Sequence, residues 1–394
     1  MSKQQQELLN NLEKVFQNCQ ERAATYDKED RFFQEDFDEL QEGGYLLMSV
    51  PEEFGGYGLN LAECAEITRK LAYHAAPTAL ALNMHVYWVG LVADLWRQGD
   101  KSLEWLLKEA GEGKVFAAGH SESGNDHPVL YSTTEAKKVE GGYTFTGHKM
   151  FGSLTPVWDF LGIHAQDNSD PNNPKVIHAF MPRDSKGYEI RKVWDNVLGM
   201  RATQSDDTIL KEVFIPDQYI ARSLPTGFAG IDPFVLGIFA WALIGFANVY
   251  YGQAQRVFEM TVGKVQSKKS IALDRPSMAY HSGIQHDISE MVLELEGIGP
   301  HLDTTAREWS QGKDYGPAWG VKLVATKCHA VESAWRVVDK ALDIVGGYGI
   351  FPVSGFERML RDARLGRLHP ANSYLTREIL AKGMLGLDLD AQPR

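Results

Sequence analysis

Residues 233–246 read PFVLGIFAWALIGF, and the run stays free of charged side chains as far as Gln255. Its length is close to that of a membrane span, which needs about 20 apolar residues. A helix that is buried on all sides in a large bundle has the same composition. We favour the buried helix and expect no membrane span, because Asn248 and Gln253 follow within the run and no basic cluster flanks it.

The sequence pattern changes twice along the chain. The first third has apolar residues at helical spacing, as at Leu8, Leu12 and Phe16. Short apolar runs with turn signals follow, and the helical period returns from about Asp232. This order predicts an α+β fold with an N-terminal helical domain (1–115), a middle β barrel or sandwich (116–225) and a C-terminal four-helix bundle (226–394). A Rossmann fold is not supported, because no G-x-G-x-x-G follows a strand.

The composition argues against several classes of protein. The 394 residues include 40 Lys and Arg against 52 Asp and Glu, which gives a net charge of −12. Nucleic-acid binding calls for a basic surface, so we expect no nucleic-acid partner. The three cysteines are far apart, which argues against disulfides and structural zinc, and no spacing of ligands predicts a metal site. Cysteine usage and the polar N-terminus indicate a reducing, cytoplasmic location.

Five short motifs stand in an order that resembles the acyl-CoA dehydrogenase superfamily. They are PEEFGG at 51–56, SESG at 121–124, LGMRATQS at 198–205, GGYG at 346–349 and RDAR at 361–364. Each motif is weak alone, but together they span nearly the whole chain. The resemblance implies an FAD held between the β domain and the C-terminal bundle. It also implies a homotetramer or homodimer in which neighbouring subunits complete each other's sites.

The same resemblance assigns cofactor-binding residues. Phe151 and Ser153 match a family segment in which the aromatic ring flanks the isoalloxazine and the hydroxyl contacts flavin N5. Taken as isolated residues, Phe151 would be a core side chain and Ser153 a turn residue. Gly346 and Gly347 let a backbone approach a pyrophosphate closely, and they also suit the end of a helix. The other assigned residues are Ser121, Lys268, Gln285 and Asn372.

The catalytic glutamate of the superfamily is missing. Pro370 stands at its usual position, and Phe234 stands at the alternative position near the start of the first bundle helix. Val235 replaces an arginine that shapes the acyl-CoA pocket in the family. Acyl-CoA dehydrogenation removes a proton from a weakly acidic carbon, so a base must lie close to it. His369 is the first candidate for a catalytic base, although a histidine that only caps a helix fits it equally well, and Asp232 is the second.

Three functions follow from these observations. The motifs favour α,β-dehydrogenation of an acyl-CoA thioester with a non-standard base and an electron-transfer flavoprotein as partner. The alternative is a flavin monooxygenase that resembles dibenzothiophene and hydroxyphenylacetate hydroxylases and takes reduced flavin from a partner reductase. Ser153 and His369 fit that branch. A non-catalytic flavoprotein is less favoured, because the features of the flavin site are kept.

Overall fold

The N-terminal region is a set of helices around one long, kinked helix. The computed structural model describes residues 2–271 and 276–390. Its first helices are α1 (Lys3–Glu29), α2 (Gln34–Glu42), α3 (Leu61–Arg97) and α4 (Glu104–Gly111). Ala75 in α3 has non-helical backbone angles two residues before Pro77, because proline lacks an N–H and disturbs the helix before it. After this kink almost every residue of α3 is buried.

Eight strands of the described chain form one sheet. They are β1 (Phe116–Gly119), β2 (Glu135–Val139), β3 (Gly142–Gly152), β4 (Phe160–Asp167), β5 (Lys175–Pro182), β6 (Tyr188–Arg191), β7 (Asp206–Pro216) and β8 (Ile220–Pro225). The strand order is β6-β7-β3-β2-β4-β5-β8, and β1 pairs with β4. The antiparallel pair β2–β3 is the hairpin that the turn at Gly141 predicts. The strands begin at Phe116 and end at Pro225.

The C-terminal region is helical again. Its helices are α5 (Pro233–Ser267), α6 (Ser282–Ser310), α7 (Ala318–Val345), α8 (Phe356–Leu365) and α9 (Ser373–Leu385). Within residues 226–271 and 276–390, the expected four-helix bundle consists of three long helices and two short ones. Both α3 and α5 are long and apolar enough to cross a membrane, but 94% and 83% of their most apolar windows are buried inside the protein. That burial is typical of core helices.

Helices α3 and α5 pack closely where a glycine on one faces a large side chain on the other. A Cβ at Gly90 would lie 2.3 Å from the ring of Trp241, and a Cβ at Gly245 would lie 2.0 Å from Oδ1 of Asn83. The indole nitrogen of Trp241 donates to Asp94 at 2.8 Å. This contact fixes the N-terminal domain against the C-terminal bundle and so positions the face of α3 beside α5.

Two of the five motifs meet where the middle domain joins the bundle. Asp362 of α8 accepts a hydrogen bond from the backbone N–H of Met200 at 2.5 Å. Arg361 donates to Asp27 of α1 at 2.6 Å. The backbone passes so closely here that a Cβ at Gly199 would lie 2.5 Å from the carbonyl oxygen of Arg361. The LGMRATQS and RDAR motifs therefore hold the three domains together.

Candidate active site

A cavity of about 1410 Å³ lies where the three domains meet. A pocket for one small molecule usually encloses roughly 300–1,000 Å³, so this cavity has room for a cofactor and a substrate together. Its aromatic lining consists of Tyr87, Phe151, Trp194, Phe228, Phe239, Phe246, Trp309 and Trp319. The sequence candidates that line it are Ser121, Phe151, Ser153, Asp232, His369 and Asn372. The wall around these polar groups is largely apolar.

Phe151, at the end of β3, presents an aromatic ring to the cavity. Its backbone is left-handed, with φ of 58°, a conformation that costs a residue with a side chain roughly 1–2 kcal/mol. The residue is 52% exposed, and Trp194 packs edge-on against it with the ring centroids 6.0 Å apart. An aromatic ring that is held exposed in a strained conformation suits a flat ligand.

Ser153 carries a hydroxyl whose hydrogen bonds are set by its neighbours. Thr203 donates to the carbonyl of Met200 at 2.9 Å, so its oxygen is free to accept from Ser205 at 2.7 Å. Ser205 in turn accepts from Ser153 at 2.8 Å. This order of protons leaves the lone pairs of Ser153 for a hydrogen-bond donor in the cavity.

Glu122 anchors the loop that carries Ser121. Its side chain is fully buried and pairs with the buried ammonium of Lys149 at 2.6 Å. Five further hydrogen bonds reach it from Asn125, Ser132, Thr133 and Thr134. Burial opposes the ionised form, but Lys149 and the hydroxyl donors outweigh it and lower the pKa of Glu122 to about 2. Glu122 therefore stays ionised and holds the loop in place.

His369 lines the cavity next to two aromatic rings of α5. Its ring centroid lies 5.2 Å from that of Phe246 and 5.7 Å from that of Tyr250. The hydroxyl of Tyr250 is 3.5 Å from Nδ1. Burial, and then the nearby cation of Lys327, lower the pKa of His369 to about 3. The imidazole is therefore neutral near pH 7 and is a weak base.

Lys327 of α7 fixes the chain segment that carries His369. Its buried ammonium donates to the carbonyls of Gly366, His369 and Ala371 at 3.1, 2.9 and 2.9 Å. These bonds use all three donors of the group. Burial lowers the pKa of Lys327 to about 7, whereas the three carbonyls favour its protonated form. The sequence gives no signal for this role, because a lysine in an amphipathic helix is usually solvated.

Asp232 also lines the cavity, but its carboxylate has partners. Oδ1 accepts from the backbone N–H of Val235 at 2.9 Å and so caps α5, and Oδ2 lies 3.6 Å from Nε of Arg222. Phe234 is buried, with the guanidinium of Arg222 5.2 Å from its ring centroid. Pro370 lines the cavity. The two positions where the family carries its glutamate therefore supply no carboxylate.

The other assigned cofactor residues lie outside this cavity. Lys268 is exposed at the end of α5, and the side chain of Gln285 donates to the carbonyl of Ala279 at 2.9 Å. Gly346 is left-handed with φ of 63°, and a Cβ at Gly346 or Gly347 would meet nothing within 4 Å. Open space beside such a backbone leaves room for a ligand. One subunit alone does not bring all the assigned residues together.

The sequence interpretation that no ligand cluster exists needs one correction. His286, Asp287 and Glu290 of α6 bring possible ligand atoms within 4.8 Å of one another. Nζ of Lys340 lies 3.4 Å from Asp287 and 3.2 Å from Glu290. Because the lysine neutralises much of the negative charge, we interpret this group as a surface ion-pair cluster.

The fold and the cavity define a class of protein in which helical, β and helical domains enclose a site for a cofactor and a substrate at their junction. Family models for the acyl-CoA dehydrogenase N-terminal and C-terminal domains match residues 2–104 and 234–385. The chain belongs to the acyl-CoA dehydrogenase superfamily. This membership confirms the resemblance and the predicted fold class.

Proteins that are similar to the chain are named for different reactions. YdbM of Bacillus subtilis (strain 168), which is named after acyl-CoA dehydrogenases, is 26% identical over 93% of this chain and 93% of its own length. Dibenzothiophene monooxygenase of Mycolicibacterium goodii is 24% identical over 88% of this chain and 86% of its own. The solved structure of a nitrososynthase from Micromonospora carbonacea var. africana has a TM-score of 0.85 at 22% identity and covers 98% of both chains.

Proposed function

We propose that the chain is a flavin-dependent monooxygenase that uses reduced flavin and oxygen on a largely apolar substrate. The observation that carries this proposal is the environment of His369. A group whose pKa lies near 3 is a poor acceptor for the proton of a weakly acidic carbon. A neutral imidazole and an oriented hydroxyl at Ser153 are instead suited to hydrogen bonding with an oxygen-activating cofactor.

The residues of the cavity fit a flavin. Phe151 offers an exposed ring for stacking, and Ser153 offers lone pairs to an N–H group. A reduced flavin bound here would supply the two electrons with which one atom of dioxygen enters the substrate and the other leaves as water. The relatives that are named monooxygenases or nitrososynthases support this chemistry for the chain.

The chain's own side chains would then act by holding, orienting and excluding water. Ser153, fixed through Ser205, accepts a hydrogen bond, and Glu122 holds the adjoining loop through Lys149. Lys327 keeps the backbone of the His369 segment in place, so that the neutral imidazole can donate or accept a hydrogen bond inside the cavity. The aromatic lining would replace part of the water around the bound molecules with apolar surface.

We further propose that the flavin is FAD and that a second copy of the chain completes its site, in a homodimer or homotetramer. Lys268, Gln285 and Gly346 lie outside the cavity, so the roles implied for them require a neighbouring subunit. Exposed apolar side chains support such a contact, since Leu293 is 72% and Val353 87% exposed. Apolar residues of this size are usually covered in an assembly.

Acyl-CoA dehydrogenation is the second candidate. It is favoured by the match to both helical domain models and by the similarity to YdbM. The reaction would need His369 or Asp232 as the base and an electron-transfer flavoprotein as electron acceptor. The low pKa of His369 and the capping role of Asp232 make this reading less favourable.

The test compares two reactions of the flavin-loaded protein. We expect that butyryl-CoA and octanoyl-CoA leave the absorbance of the oxidised flavin unchanged under anaerobic conditions. We also expect rapid reoxidation by oxygen after a flavin reductase has supplied reduced flavin. Bleaching by either ester would overturn the monooxygenase proposal in favour of dehydrogenation. A purified protein that does not bind flavin at all would refute both.

A further inference from the structure

Two residues that line the cavity each have a buried polar atom without a hydrogen-bond partner in the described part of the chain. These atoms are the hydroxyl oxygen of Tyr87 on α3 and Nε2 of His120 at the end of β1. Both residues line the cavity. Tyr87 is only 2% exposed, and its ring centroid lies 6.4 Å from that of His120. The two residues therefore belong to one region of the wall.

Towards α3 the surroundings of these two atoms are apolar, whereas the other ring nitrogen of His120 is hydrogen-bonded to His164. Leu80, Met84 and Leu91 lie on the same face of α3 and line the same cavity, and Trp88 packs 5.3 Å from the ring of His120. A buried polar group that finds no partner costs roughly 1–3 kcal/mol. A plain hydrocarbon chain in this region would leave both atoms unsatisfied, whereas a ligand with a polar group would satisfy them.

The hydrogen bonds around His164 determine what His120 can offer. Nε2 of His164 lies 3.0 Å from the carbonyl oxygen of Tyr131 and 3.7 Å from a carboxylate oxygen of Glu122. The competing backbone N–H of Val129 is farther away, at 3.3 Å. The two oxygens favour a proton on this nitrogen, so Nδ1 of His164 accepts from Nδ1 of His120 at 3.1 Å.

The proton of His120 is therefore on Nδ1, and its Nε2 carries a lone pair. Burial lowers the pKa of His120 to about 3, with His178 and Lys149 contributing in the same direction. The ring is neutral near pH 7 and acts there as an acceptor. The hydroxyl of Tyr87 can both donate and accept. The pair matches a ligand group that donates one hydrogen bond and accepts another, such as a hydroxyl.

We propose that Tyr87 and His120 form a substrate subsite for a hydroxyl or N–H group on a neutral, largely apolar, ring-containing molecule. The inference rests on the proposed function in taking the cavity as the substrate site, and it narrows the substrate class. The aromatic lining of the cavity matches the apolar body of such a molecule. The sequence gives no hint of the subsite, because nearly every residue of α3 after its kink is buried and neither residue falls in a motif.

The probes are 2-naphthol and 2-methoxynaphthalene, which share an apolar body and differ in the donor proton. Their dissociation constants are measured by calorimetry on the protein as purified, together with Tyr87→Phe and His120→Leu. Tyr251→Phe is the matched control, since this buried tyrosine donates to the carbonyl of Leu295 at 3.3 Å and does not line the cavity. We expect the wild type to bind 2-naphthol about three- to tenfold more tightly than the ether, as one net hydrogen bond allows.

The preference should fall towards one in His120→Leu, which removes the acceptor of the ligand's proton, while the affinity for the ether stays unchanged. Tyr87→Phe should weaken both probes by a similar factor, because each carries an oxygen that can accept from the Tyr87 hydroxyl. The flavin content of both variants should stay unchanged. Tyr251→Phe should keep the wild-type preference. Equal affinity of the wild type for the two probes, no binding of 2-naphthol, or a preference that survives in His120→Leu would overturn the subsite. Loss of flavin from Tyr87→Phe would also overturn it, because the cofactor would then be the partner. The dissociation constants are measured without catalysis. The result for the subsite can therefore be interpreted even if the protein shows no monooxygenase activity.

Discussion

Replacing Lys149 with methionine tests whether the buried ion pair with Glu122 holds the loop of the candidate site. The substitution removes the ammonium that lies 2.6 Å from Glu122 and 2.5 Å from the carbonyl oxygen of His164. Both side chains are almost fully buried, so the carboxylate is left without a counter-charge. Breaking one partner of a buried pair costs about 3–5 kcal/mol. We expect the free energy of unfolding in urea to fall by that amount at pH 7.

The pH dependence of the free energy of unfolding is a second test of the same prediction. The pKa of Glu122 in the folded protein is about 2, below its ordinary value. Its ionisation therefore stabilises the fold fully above that ordinary value, and this contribution is lost as the pH falls towards 2. Without Lys149 the folded pKa should rise, so that the variant loses less stability than the wild type on acidification. The difference between the two proteins should shrink from pH 7 to pH 4.

Lys138→Met is the matched control, because Lys138 pairs with Asp217 on the surface, where both side chains are at least half exposed. An exposed pair of this kind contributes at most about 1 kcal/mol. A loss in Lys149→Met no larger than in this control would refute the reasoning. So would a difference from the wild type that stays constant between pH 7 and pH 4.

Four further predictions follow from the site and its surroundings. Gly346→Val should lower the flavin absorbance of the purified protein by filling the open space, whereas Gly386→Val, at another left-handed and open position, should not. Lys327→Met should lower the free energy of unfolding in urea by about 2–4 kcal/mol, because three carbonyls lose a charged donor; unchanged stability would contradict its anchoring role. Leu293→Asp should reduce the assembled mass in light scattering, and an unchanged mass would remove that surface from the interface. The pKa of His369 is near 3, so its imidazole should cause no inflection between pH 5 and 8 in the pH profile of kcat/KM for the wild type. An inflection in that range that is lost in His369→Asn would contradict the low pKa of His369.

The sequence predicted the elements whose signals are local. The apolar run that became α5 and the glycine turn of the β2–β3 hairpin each lie within a few residues, so periodicity and turn chemistry were sufficient. The motifs also led to Phe151, Ser153 and His369, which line one cavity. The sequence could not indicate the protonation states and hydrogen bonds of these residues. The low pKa of His369 depends on its burial and on Lys327 from another helix.

The residues that sequence reasoning missed are those whose partners are distant in the chain. Glu122 and Lys149 stand on either side of the β2–β3 turn, and either alone is an ordinary surface residue type. Tyr87 belongs to a stretch of α3 in which nearly every residue is buried, so the pattern cannot indicate which face borders a cavity. The hydrogen bond between His164 and His120, which fixes the proton of His120, can form only when β1 and β4 are paired.

The same contacts explain why the motifs identify the fold more firmly than the reaction. LGMRATQS and RDAR meet through Asp362 and the backbone of Met200, so their residues are constrained by how the domains join. Lys327 holds the segment after α8 through the backbone carbonyls of Gly366, His369 and Ala371, and every residue type supplies a carbonyl. The side chains on that segment can therefore change without loss of its position. The position that holds a glutamate in acyl-CoA dehydrogenases can become Pro370, and His369 can become the group that faces the cavity, while the scaffold stays the same.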